Sequence, residues 1–464
     1  MNRRQLVSTL AFPAIIRARG DGAATQPNVL WIIGDDLGVE LSCYGYPFVH
    51  TPNMDRLANE GTRFTQFHST APVCSASRSG FNVGMYQIAT GTHNHRSHRK
   101  DDFHLPPPAR LITDRFRERG YFTCNILDIA PGVVGTGKTD FNFNLASKPF
   151  DGTHWNQRKP GQPFYGQINF LAPHKGLAFA EARKQKKLVD PNWIELPPYY
   201  PDHPVVRNEV ANYLDAVQML DTQVGVLLEQ LERDKLLDNT CVMLFGDNGR
   251  CLLRGKQWLY DHGTHVPLMI RWPGVAKPGA VRDEPCTTLD MSATSLYAAG
   301  IPVPREYHGR PLYGPKAQPR DYIFTARDRC DMTVERIRAV RDRRYKYIRN
   351  FMPERPYTQW NEYIEKQYPT LGVILEQHKA GKLNAIQSLW TAPSKPQVEF
   401  YDTHADPYEV NNLANSPAHR NLITEFGRRL DVWLRETDDK GSVSESRETV
   451  VREEPHAADP RAWK

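Results

Sequence analysis

The sequence predicts an α/β fold: a large mixed, mostly parallel sheet flanked by helices, with a smaller C-terminal α+β subdomain. Three observations predict it. Short apolar runs stop abruptly in polar loops, as residues 28–33 do at Gly34-Asp35-Asp36-Leu37-Gly38, the pattern of buried parallel strands. A long helical period lies between two such runs. From Asp321 onward the texture changes to short strands and one final helix.

In chain order, residues 1–26 come first. They put Asn2-Arg3-Arg4-Gln5-Leu6 ahead of an apolar segment, 6–16, that is too short to anchor in a bilayer. This reads as a signal peptide, either of the twin-arginine type or an ordinary secretory one with a basic start. The mature chain then begins near Ala23 to Pro27 and works outside the cytoplasm, in the periplasm or beyond the cell. Residues 51–64 read as a helix, with Pro52 early, Leu57 inward and Gly61 at the stop. Residues 166–171 form a strand that runs into Ala172-Pro173-His174. Residues 240–245 form another that runs into Gly246-Asp247-Asn248-Gly249. Between them, 205–237 carries apolar residues at Val210, Leu214, Val217, Leu220, Val224 and Leu231, a core-facing helix. Residues 266–271 add a strand and 288–300 a covering helix, which closes a first domain of 27–319. Strands at 337–340 and 345–348 and a helix at 420–436 make the α+β subdomain, 320–440. Residues 441–464 read as a disordered tail.

At 464 residues the chain has ample core for two domains. Hydrophobic residues at 40% and charged residues at 24% exclude a disordered chain and a polytopic membrane protein. The net charge of +6 is scattered, without basic runs interleaved with aromatics. That argues against nucleic-acid binding and for a surface that suits an anionic substrate. The seven cysteines include no CxxC pair, which argues against a thiolate zinc site, and their odd number leaves at least one unpaired, with Cys74 the candidate.

The chemistry gathers at strand ends, where ligands bind in open α/β sheets. Asp35, Asp36, Asp247 and Asn248 are hard oxygen ligands, better suited to Ca²⁺ or Mg²⁺ than to a transition metal. Taken singly, Asp-Asp after a strand is a cap or Asx turn, and Asp-Asn-Gly is a tight turn. Cys74 and Arg78 are one helical turn apart, so both side chains can face one site.

The segment Pro72-Val73-Cys74-Ser75-Ala76-Ser77-Arg78 resembles the sulfatase signature C-x-[PSA]-x-R. The rest of that family's pattern follows in order: Asp35-Asp36, the cysteine motif, Gly137-Lys138, His174, Asp247-Asn248-Gly249 and Lys256. Tyr345-Lys-Tyr-Ile-Arg-Asn350 and Phe400-Tyr-Asp-Thr-His-Ala-Asp-Pro-Tyr-Glu409 extend the resemblance over nearly all of the mature chain. The segment 349–357 and the insertion 363–389 look like the branch that holds heparan N-sulfatase and bacterial polysaccharide sulfatases.

The resemblance implies an alkaline phosphatase-like fold and a Cys74 oxidised to formylglycine by a dedicated maturation enzyme. It implies calcium, or magnesium, held by Asp35, Asp36, Cys74, Asp247 and Asn248. It implies that a hydroxyl of the hydrated formylglycine attacks sulfur, with Arg78 first orienting the aldehyde hydrate, Arg78, Lys138 and Lys256 holding the sulfate oxygens and His174 protonating the leaving group. The implied substrate is a sulfated oligo- or polysaccharide, as a sulfate ester or a sulfamate.

One departure stands out. Where many sulfatases have Gly-Lys-x-His, this chain has Gly137-Lys138-Thr139-Asp140, and an ionised aspartate cannot donate a proton. His93, His95 and His98, or His262 and His265, are the histidines available to replace it. Arg327 and Arg329 are the nearby arginines for an anionic sugar. Two alternatives stay open: a phosphonate or phosphodiester hydrolase of the same superfamily, and a non-catalytic glycan-binding homologue.

Overall fold

A computed structural model describes residues 26–186 and 188–463. The expected signal peptide lies outside the described residues. The chain runs through β1 (Asn28–Gly34), α1 (Pro52–Glu60), β2 (Thr62–Phe64), α2 (Cys74–Val83), β3 (Phe122–Ile126), β4 (Phe164–Phe170), α3 (Pro204–Arg233), β5 (Thr240–Gly246), β6 (Leu268–Arg271), β7 (Ala280–Arg282) and α4 (Thr288–Ala298). These strands form one seven-stranded sheet in the order β7-β2-β6-β5-β1-β4-β3. The run from β5 to β3 is parallel, and β6 is antiparallel to both of its neighbours. The α/β expectation therefore holds. Residues 62–64, expected to end the helix, form β2 instead, because Gly61 stops α1 and its carbonyl-side neighbours pair with β6.

Strand β1 shows why the sheet is buried on both faces. Leu30 and Ile32 enter one core with Leu214, Val217 and Leu220 of α3, while Val29, Trp31 and Ile33 enter another with Phe81 of α2 and Met291 and Leu296 of α4. Period-two alternation thus feeds two apolar cores, which is why the run is continuously apolar. Helix α3 starts with Pro204 in its first turn and the His203 side chain accepting from the Val205 amide. At 30 residues it covers one face of the sheet over a length of about 45 Å. Leu220→Ala, at a site 1% exposed, is expected to cost about 2–5 kcal/mol of stability, read by denaturant unfolding.

The second sheet, β8 (Ile323–Arg327), β9 (Ile337–Arg341), β10 (Tyr345–Asn350) and β11 (Val398–Asp402), is antiparallel throughout. Between β10 and β11 lies α5 (Pro369–Lys379), and after β11 comes α6 (Arg420–Glu436). Phe426, Leu430 and Trp433 of α6 pack on Val340, Tyr347 and Phe400, and Tyr86 and Ile88, which follow α2, join the same core.

The tail departs from expectation. Residues 441–463 are ordered and include α7 (Arg447–Glu453), which is capped by the Ser446 side chain accepting from the Thr449 amide. The segment is polar in composition, yet three of its apolar residues, Val450, Ala457 and Ala462, are buried against Met332 and Val334. Its charged groups also find partners: Glu445 pairs with Arg329, Glu453 accepts from the Arg99 amide at 3.0 Å, and the Arg452 carbonyl accepts from Lys100. All seven cysteines are free, so no disulfide joins any described residues. No helix among the described residues is long and apolar enough to cross a membrane.

Candidate active site

The site forms where β1, β4 and β5 end and α2 begins. Asp35 and Asp36 follow β1, and Asp36 adopts a left-handed backbone (φ 65°), a conformation that aspartate tolerates. This sharp turn brings both carboxylates under the first turn of α2, whose first residue is Cys74. The Cys74 thiol lies 3.4 Å from Asp35 Oδ1 and 3.7 Å from Asp36 Oδ1. Its neighbours are carboxylates rather than a hydrogen-bonded base, and burial first, with Asp35 and Asp36 adding to it, pushes the thiol pKa up against Lys138 and Lys256. This is the reverse of the environment that makes a reactive thiolate.

Arg78, one turn along α2, is 1% exposed. Its Nε donates to Asp247 Oδ2 at 2.8 Å and its Nη1 to Asn169 Oδ1 at 2.5 Å, while Nη2 is buried without a hydrogen bond, 3.9 Å from Asp35 Oδ1. Asp247 accepts from the amides of Asp36 and Asn248, which ties the β1 and β5 loops together. Lys138 Nζ donates to Asp35 Oδ2 at 2.8 Å and Lys256 Nζ to Asp36 Oδ2 at 2.9 Å. Burial alone would lower both ammonium pKa values, but the carboxylates outweigh it and raise them, so both lysines are charged. His174 Nδ1 lies 2.8 Å from the Lys175 carbonyl and so donates, which turns Nε2 toward Asp36 Oδ2, 3.6 Å away. The side chains of Lys138 and His174 are about a fifth exposed, 22% and 21%, and mark the mouth of an otherwise buried cluster.

Oxygen, sulfur and nitrogen atoms of Asp35, Asp36, Cys74 and His174 lie within 4.8 Å of one another. Three carboxylates, Asp35, Asp36 and Asp247, face three cations, Arg78, Lys138 and Lys256, so the cluster is neutral. The Asn248 Oδ1 is buried with no donor. A hard divalent cation fits this set, because it would satisfy that oxygen and leave a positive field for an anion.

A family model described as Sulfatase matches residues 27–128 and 137–301. A second, described as N-sulphoglucosamine sulphohydrolase, C-terminal, matches 251–385. The chain is 31% identical to an ulvan-active sulfatase of Formosa agariphila across 96% of this chain and 83% of that one. The chain belongs to the sulfatase family. This sulfatase, a sulfuric ester hydrolase, is also 24% identical to human N-sulphoglucosamine sulphohydrolase over 92% of its own length and 93% of the human protein. Its backbone is shared more widely. A phosphonate monoester hydrolase of Silicibacter pomeroyi superposes with a TM-score of 0.62 at 17% identity, covering 90% of this chain and 96% of that one.

The sequence-predicted residues of this sulfatase divide into two groups. Asp35, Asp36, Cys74, Arg78, Lys138, His174, Asp247, Asn248 and Lys256 come together. Most of the substrate-binding candidates do not join them. His98 is bonded to Asp101 and stacked on Phe103. His262 is held by Tyr199 and Arg250, and His265 by the Thr65 carbonyl and a stack on His68. Arg329 is spent on Glu445 and on the carbonyls of His95 and Asp331, and His93 is buried near Arg338 and Asp439. These are structural roles, set by local partners that a single sequence does not reveal. Arg327 is buried against Trp258.

His95 differs from the other histidines. Its Nδ1 is bound to Asp331 Oδ1 at 2.9 Å, and its Nε2 is buried without a partner. It bears electrostatically on Asp140, as do Lys138 and Arg78. Asp140 itself is 2.6 Å from Arg99 and 3.6 Å from Lys138.

Three neighbours were missed in the sequence. Asn169 sits inside β4, and its signal was the pair of polar residues, Gln167 and Asn169, in a strand buried along its whole length. Tyr363 packs by Lys256 and His174, with its hydroxyl buried and unpartnered. Asp331 orients His95, and nothing in its sequence neighbourhood pairs it with that residue.

Proposed function

We propose that this sulfatase removes sulfate from a sulfated saccharide with a formylglycine made from Cys74, beside a calcium ion. The observation that carries the reading is the buried Cys74 at the start of α2, ringed by carboxylates and by cations aimed at one point. Matches to an ulvan-active sulfatase and to an N-sulphoglucosamine sulphohydrolase support a carbohydrate substrate. The basic, apolar leader at residues 1–26 supports export.

Formylglycine, as its hydrate, supplies a hydroxyl nucleophile toward sulfur and a second hydroxyl through which sulfate is later expelled. A calcium ion held by Asp35, Asp36, Asp247, Asn248 and the modified residue 74 supplies positive charge at the sulfate oxygens. The chain's own groups do the rest. Arg78, fixed by Asp247 and Asn169, keeps Nη2 for the nucleophile or a sulfate oxygen. Lys138 and Lys256 hold the other oxygens, preorganised by their carboxylates. His174, with Nδ1 committed to a carbonyl, presents Nε2 to protonate the departing sugar oxygen or nitrogen.

The histidine lost at Asp140 is replaced by His95, oriented by Asp331. His95→Gln is expected to lower kcat by roughly 10²- to 10⁴-fold with a smaller change in KM and loss of one limb of the pH–rate profile. Asp331→Asn should give a partial version of the same change. An unchanged kcat in His95→Gln would make His95 structural.

The reading as a whole is tested on protein coexpressed with a maturation enzyme. Mass spectrometry of the Cys74 peptide should show the thiol replaced by an aldehyde. Sulfate release from ulvan and heparin oligosaccharides should vanish with EDTA and return with calcium. An unmodified cysteine with no release, or phosphonate monoester turnover exceeding sulfate release, overturns it.

A further inference from the structure

Next to the catalytic cluster, and sharing Lys256 with it, is a narrow cavity of about 30 Å³. Its walls come from the loop after β5, from Arg327 at the end of β8 and from residues 357–368 and 390. Arg254, Lys256 and Arg327 all line it, at 3%, 5% and 2% exposure, and no carboxylate lines it at all. Lys256 is matched by Asp36. The two arginines form no ion pair with any described residue.

Aromatic rings lie against both guanidiniums, and Glu409 is the one carboxylate that bears electrostatically on Arg254. The Arg327 guanidinium lies 4.0 Å from the centroid of the Trp258 ring, and that of Arg254 lies 3.6 Å from the Tyr260 centroid. Arg254 has one acceptor, the Glu409 carbonyl. Cation–π contact offsets only part of the cost of burying a charge. Nε and Nη1 of Arg327, Nε of Arg254 and Nε1 of Trp390 are all buried without an acceptor. All four are donors, and Tyr368 Oη, the other orphaned polar atom on these walls, can donate as well as accept. A water could accept from two of these donors but would still need acceptors for its own two hydrogens, whereas an anion only accepts. The volume exceeds the ~10–15 Å³ that one water requires, so a single small particle fits.

We propose that this cavity is an anion site, taking a halide-sized anion or the tip of a carboxylate or sulfate group against Arg327 and Arg254. Two sources share that chemistry: free halide, and a second anionic substituent on the substrate. The substrate source rests on the sulfatase reading above, and the halide source does not.

The test titrates bromide into protein in halide-free buffer, at an ionic strength held constant with a bulky sulfonate, and reads Tm. It also collects bromide anomalous diffraction. The expected result is a saturable rise in Tm and an anomalous peak between Arg327 and Arg254, with the rise lost in Arg327→Met. Should that variant fail to fold, the peak in the unsubstituted protein still decides. Both readings can be made on Cys74→Ala protein, so they stand whether or not the enzyme turns over. Bromide that competes with saccharides carrying a second anionic group, and not with those lacking one, assigns the site to substrate. Bromide binding without effect on any KM assigns it to free halide. No peak, with a Tm that follows ionic strength alone, overturns the proposal and leaves a water in the cavity.

Discussion

Cys74→Ala is expected to lower sulfate release by roughly 10⁶-fold, the scale of loss when a hydrolase is deprived of its nucleophile. The fold should survive, because the thiol touches only Asp35 and Asp36 among polar groups. Near-identical thermal unfolding beside abolished turnover would separate chemistry from stability. Cys74→Ser is the more informative partner. A serine hydroxyl can attack sulfur once but has no second hydroxyl with which to expel the sulfate. Intact-mass measurement after incubation with substrate should then find the chain heavier by one sulfo group. Turnover retained in either variant would move the nucleophile elsewhere.

Arg78→Met carries the second large effect, on stability as well as rate. Arg78 is the cation bound to Asp247, and both side chains are at most 1% exposed. Removing one member of a buried pair costs about 3–5 kcal/mol, because the other charge is stranded. Even with Arg78 in place, burial holds the Asp247 carboxyl up to about 6, the arginine pulling it down only in part. In the variant this carboxyl is raised further and folds protonated. A folded-state pKa above the unfolded value gives stability that is present at low pH and lost as pH rises through the folded pKa. Measured in EDTA, Arg78→Met should therefore melt closest to the parent near pH 5 and fall furthest behind it by pH 8. A deficit that does not depend on pH would show that Arg78 is not what neutralises Asp247.

How much of this was legible depended on distance along the chain. Strands β1, β4 and β5 announced themselves, since a strand buried on both faces must be apolar and must stop where polar residues begin. Their ends carried Asp35, Asp36, His174, Asp247 and Asn248 with them. Cys74 and Arg78 were legible because one helical turn fixes their relation. Pairings made across the fold were not. Asp331 reaches His95 from the second sheet, Tyr363 reaches Lys256 from an insertion, and Arg327 meets Trp258. The tail misled through composition alone: few apolar residues argue for disorder only when no complementary hollow awaits them, and Met332 and Val334 provide one.

The same tail lies against the loop that carries His95. Arg96 and His98 hold left-handed backbones, φ 57° and 60°, a conformation that costs a non-glycine residue about 1–2 kcal/mol. The Arg96 amide is bonded to Ser75, and the Arg99 amide to Glu453. The loop is thus pinned at one end by the residue after the nucleophile and at the other by α7. A molecule cut short before α7 keeps every catalytic side chain but loses the clasp that keeps a strained loop in place. Nonsense codons or proteolytic nicks there would surface in an assay as defects in turnover, although the damage is to the chain's end.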